Sequence, residues 1–129
     1  MNGAQSLRPP PTQTASPRGV RAAAWRFVLQ RASAAVLALC VIVHLAAIIY
    51  SVRHGLTAAA IVARMHASAF WPAFYATFVV AAAIHAPLGL RVVADEWLGL
   101  RGRGIEVVLA AFALLLAGGG LFAVRSLAA

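Results

Sequence analysis

Residues 68–97 read SAFWPAFYATFVVAAAIHAPLGLRVVADEW. Positions 68–93 carry one charged side chain, Arg91, and then Asp95, Glu96 and Trp97 arrive together. An apolar run of this length matches the ~20 residues a helix needs to cross a ~30 Å hydrocarbon core. A helix lying against water would show a polar stripe, and this run has none. The pattern recurs on both sides: residues 27–50 hold only Arg31 as a charge, and residues 105–124 hold only Glu106. The sequence predicts an all-α membrane protein with three transmembrane helices, at about 25–50, 68–94 and 105–125.

Composition agrees. The chain is 63% hydrophobic and 11% charged, where a soluble domain has about 45–50% apolar and about 25% charged residues. All the basic charge is arginine, and the formal net charge is +8. The arginines flank apolar spans instead of forming a surface stripe, which argues against a nucleic-acid partner. Arg8, Arg18, Arg21, Arg26 and Arg31 precede or open the first span, and Arg91, Arg101 and Arg103 surround the second connection. Arg53, Arg64 and Arg125 fall on the opposite side. This bias predicts a cytoplasmic amino terminus.

Residues 1–21 lack the apolar centre of a cleavable signal peptide. Pro9–Pro11 among Ser, Thr and Gln suggest a disordered cytoplasmic tail over 1–21, followed by a three-helix anchor over 22–129. An acid-free, arginine-containing start also suits an organelle transit peptide, but the proline run opposes the amphipathic helix such peptides use. Trp25 and Tyr50 are expected at the two interfaces of the first helix, which should begin near Ala22. The connection after Tyr50 has room for a short amphipathic helix on the outer surface. Phe70, Trp71 and Tyr75 mark where the second helix enters, and Trp97 its inner end. Gly118–Gly120 permit close packing or a loosened turn in the third helix. Cys40 is the only cysteine, so no intrachain disulfide forms.

Of four histidines, only His44 and His85 fall deep within spans. An ionisable side chain inside a bilayer is costly, and two roles justify it: axial ligation of haem iron, or a hydrogen bond between helices. Measured from Asp95, His85 is roughly 15 Å deep; measured from Trp25, His44 is roughly 28 Å deep, at 1.5 Å per residue. The two should therefore not clasp one iron. Each would take its second ligand from a partner, which allows one haem or two. Pro87 and Gly89 follow His85, and Gly89 lies one turn along the same face. They either leave room for a flat macrocycle or serve ordinary packing.

Arg31 either snorkels to the interface or pairs with a buried anion such as a haem propionate. Ser33, Leu37, Cys40 and His44 form a stripe facing one partner or ligand. Arg91 and Asp95 have the i,i+4 spacing of an ion pair, and Glu96 returns to the face of His85. His54 and His66 read as solvated or headgroup-level residues. No nucleophile–base set, phosphate loop or zinc site is present, so the chain alone does not read as a catalyst.

FVLQRASAAVLAL (residues 27–39) and IHAPLGLRVVADEW (residues 84–97) together resemble the haem-binding membrane anchors of succinate dehydrogenase, or succinate:quinone oxidoreductase. The resemblance spans about residues 25–97: an Arg-x-Ser opening to helix one, then His-x-x-x-Gly and an acidic residue closing helix two. It implies half of a heterodimeric haem-binding helical bundle in a bacterial inner membrane or, as a minor alternative, a mitochondrial one. Haem b would be ligated by His85, and in two-haem members by His44 as well. Arg31 would lie near the propionates and the quinone pocket, with Ser33 beside it and Asp95 at the quinone site. Relatives often carry Asp-Tyr there; this chain has Asp95, Glu96 and Trp97, which makes Trp97 the substitute aromatic. The implied partners are a second anchor subunit, an iron–sulfur subunit and a flavoprotein subunit, with ubiquinone or menaquinone as acceptor. The rivals are a cytochrome b or anchor subunit of another respiratory dehydrogenase, and a non-redox small membrane protein in which His85 only packs.

Overall fold

The computed structural model describes residues 16–55 and 57–129, and the expected tail at 1–15 lies outside them. Four helices follow one another: α1 (Pro17–Arg53), α2 (Ala58–Ala67), α3 (Phe70–Leu98) and α4 (Arg103–Ala128). Of these, α1, α3 and α4 are long and apolar enough to cross a membrane, as the three runs require. The short α2 fills the connection after Tyr50.

Local chemistry sets the ends. The Ser16 side chain accepts from the Gly19 amide at 3.3 Å, and Pro17 occupies the first helical position, where its missing N–H costs nothing. α1 therefore opens five residues before Ala22. At 37 residues it is about 55 Å long, well beyond a ~30 Å core, so its arginine-bearing first turns extend past the hydrocarbon. Thr57 caps α2 by accepting from the Ala60 amide at 3.1 Å. α3 stops at Gly99, whose φ of 61° lets the chain turn left-handed. The Leu100 amide then closes back onto the Ala94 carbonyl at 2.9 Å.

Among the described residues, α3 packs against both α1 and α4, while α1 and α4 do not touch. The three spans thus form an open row and not a closed bundle. Side chains at the seams are small: Ser33, Cys40, Ala81, Ala83 and Ala94 are all buried. Small residues let helix backbones approach closely in lipid, where no hydrophobic force drives them together. At α4 the approach is tightest at Gly120, where a Cβ would stand 2.5 Å from Val79 Cγ1. Of the three consecutive glycines, only Gly120 serves that contact; a Cβ on Gly118 or Gly119 would meet nothing within 4 Å. Leu114, Leu115 and Phe122 are about three-quarters exposed. A face this apolar belongs against lipid or another membrane subunit.

Candidate functional site

The predicted stripe on α1 faces α3: Ser33 and Cys40 are buried, Leu37 and His44 half-buried. Along this seam the two intramembrane histidines occupy different levels. Ser33 Oγ lies 3.3 Å from His85 Nδ1, and 2.7 Å from the Leu29 carbonyl. A hydroxyl has one proton, and the shorter contact takes it: Ser33 donates to Leu29 and accepts from His85 Nδ1–H. His85 is then the tautomer whose Nε2 keeps its lone pair.

His44 stands 11 residues further along α1, about 16 Å from the level of Ser33. Its ring meets Tyr75 edge-on at 5.7 Å between centroids and Phe78 at 6.0 Å. Its Nδ1 is buried with no hydrogen-bond partner among the described residues. The two rings do not converge on a common centre. No group of three or more His, Cys, Asp and Glu side chains among the described residues could hold a bare metal ion.

This donor set suits a haem iron, which takes one imidazole from each side of its plane. Metal-bound histidines characteristically donate their other N–H to an oxygen, and the Ser33–His85 contact has that form. The fit is better at His85 than at His44, which lacks such a partner.

A second feature lies where the start of α1, the end of α3 and the α3–α4 connection meet. There a cleft of about 620 Å³ is lined by Arg26, Phe27, Gln30, Arg91, Asp95 and Glu96, with Leu88 and Ile105 as apolar wall. The expected Arg91–Asp95 pair does not form. Arg91 Nη2 instead reaches Glu106 Oε1 on α4 at 2.8 Å, and Asp95 pairs with Arg101. Arg91 and Asp95 are each held by a residue beyond the end of α3, which sequence spacing within one helix does not reveal. Gln30 bridges the two features. Its backbone carbonyl lies 3.1 Å from Ser33 Oγ, and its side-chain Nε2 lies 3.3 Å from where a Cβ on Gly89 would stand.

The sequence-predicted residues therefore divide. Ser33 and His85 come together, and Asp95 lines the cleft. Ser33 also lines a separate apolar groove of about 450 Å³ with Val36, Thr77 and Ile84. Arg31 is exposed, with its guanidinium over the Phe27 ring at 5.4 Å. Trp97 is 83% exposed and does not line the cleft. Arg26 and Gln30 line it without having been singled out from sequence. The signal for Gln30 was there, as the lone amide side chain in an apolar run.

Three apolar spans, histidines at two levels of one helix seam and a charged cleft at one end define a multi-pass membrane protein. The chain belongs to the succinate dehydrogenase/fumarate reductase transmembrane subunit family, whose model matches residues 8–121. Comparison with curated proteins and with solved structures returned no match.

Proposed function

We propose that this chain is a haem b-binding anchor of a succinate:quinone oxidoreductase, attaching the flavoprotein and iron–sulfur subunits to the membrane and forming part of the quinone-reduction site. The observation that carries the reading is the Ser33–His85 contact, which presents Nε2 of an intramembrane histidine as a ligand. Arginine bias supports a multi-pass topology in the bacterial inner membrane with the amino terminus and the cleft on the cytoplasmic side. A second anchor subunit would provide a further ligand and cover the open row of helices.

Haem, when bound, supplies a one-electron carrier. The chain's own residues do the rest. His85 would hold the iron, Ser33 would fix the ring, and Arg31 would offer a cation for a propionate. Reduction of a quinone takes up one proton for each electron, and Asp95 and Glu96 bring carboxylates to the cleft where that uptake would occur. Trp97, exposed at the same end, is assigned to the rim the iron–sulfur subunit would cover.

A dithionite-reduced minus oxidised spectrum of the purified complex tests the proposal. A b-type α-band should appear, and His85→Ala should abolish it. Absence of the band from the intact, cofactor-replete complex overturns the reading. Two haems at two levels remain a second reading, favoured by the burial of His44 in an aromatic shell. Haem stoichiometry should fall by half in His44→Ala if two are present, and stay constant if there is one.

A further inference from the structure

We infer that Gln30 is the residue that reads the head group in the cleft, binding oxidised and reduced quinone through opposite ends of one amide. This rests on the quinone reading of the cleft. Gln30 lines the cleft together with Arg26, Arg91 and Asp95. Its Oε1 is buried and has no hydrogen-bond donor among the described residues. A buried acceptor left without a donor is costly, so the amide gains by turning Oε1 toward any ligand in the cleft that brings one. Its Nε2 lies against α3 at Gly89, where the missing side chain makes room for the amide.

The chemistry of an amide fits this position. The quinone head group offers carbonyl acceptors and needs a donor. The quinol offers hydroxyl donors and needs an acceptor. Arginines can only donate and an ionised Asp95 can only accept, but an amide does either. A half-turn about the Cγ–Cδ bond exchanges Nε2 and Oε1 with almost no change of shape. Gln30 therefore holds the ring through both oxidation states without moving the backbone. Gly89 is four residues after His85, so the amide sits one turn of α3 from the proposed iron ligand.

The test uses the whole complex carrying Gln30→Met, which keeps the length of the side chain and removes both polar ends. The KM for a short-chain quinone, and the KM for the matching quinol in the reverse direction, should both rise about tenfold, the loss of one hydrogen bond to a buried group. Succinate oxidation with a soluble artificial acceptor and the haem spectrum should not change. Gly89→Ala crowds the amide and should raise both constants in the same direction. Asp95→Asn is the control for the cleft itself. If Asp95→Asn raises the quinone KM and Gln30→Met leaves both constants unchanged, the cleft stands and the role of Gln30 is overturned. A rise in only one of the two constants overturns the two-ended amide. If neither variant changes quinone kinetics, the quinone reading of the cleft fails and the inference falls with it.

Discussion

Ser33 on α1 and His85 on α3 are 52 residues apart in sequence and meet with Oγ and Nδ1 3.3 Å apart. The hydroxyl is itself anchored to the turn below it, through the carbonyls of Leu29 and Gln30. The imidazole is thus oriented by the backbone of a neighbouring helix, relayed through one oxygen.

Ser33→Ala should leave the fold intact and loosen the histidine. Loss of such an outer partner typically lowers metal affinity about 10- to 100-fold. Haem content should fall on dilution and the midpoint potential should shift, both measured by redox titration of the purified complex. Ser33→Thr, which keeps the hydroxyl, should restore both. Unchanged haem content and potential in Ser33→Ala would show that the contact does not tune the iron.

Gly120→Ala should destabilise the α3–α4 seam by about 1–3 kcal/mol, as overpacking does. Its new methyl would stand 2.5 Å and 2.8 Å from the two Val79 methyl carbons and 3.3 Å from Val79 Cβ, and a β-branched side chain is stiff at χ1. Gly118→Ala and Gly119→Ala meet open space and should be neutral or slightly stabilising. Thermal unfolding in detergent separates the three, and equal midpoints would refute the distinction.

Glu106→Gln removes the partner of Arg91 on α4. The pair is 38% and 49% exposed, so its loss should cost less than about 1 kcal/mol. The larger effect should be on the cleft, where Arg91 becomes a free cation. Quinone kinetics should become more sensitive to ionic strength while the melting temperature hardly moves. A drop of many degrees would mean that the ion pair, not the apolar seam, holds α4.

The three spans were legible because a membrane helix announces itself by what it omits. A single charge in residues 27–50, 68–93 or 105–124 leaves few other readings. The intramembrane histidines were legible for the same reason. What joins them was harder to see. The stripe through Ser33 and His44 showed a face without saying that α3 covers it, and Ser33 was first assigned to quinone by resemblance. Arg91 and Asp95 had good spacing for a pair on one helix, yet each has a nearer partner beyond Gly99. The start of α1 was placed late because arginines at 18 and 21 read as tail, while Ser16 and Pro17 supply a start signal upstream of them. Gln30 is hard to read from sequence because an uncharged amide carries no topological weight.

Because α1 and α4 do not touch, the seam that joins Ser33 to His85 is made wholly from α1 and α3. Both helices precede α4 in the chain. The contact at the histidine level therefore needs no part of α4, which adds the Glu106 partner of Arg91 and the Ile105 wall of the cleft. The fold thus assigns the Ser33–His85 contact and the full lining of the cleft to different helix pairs. A chain truncated after Gly99 should keep the first and lose Arg101, Ile105 and Glu106 from around the second.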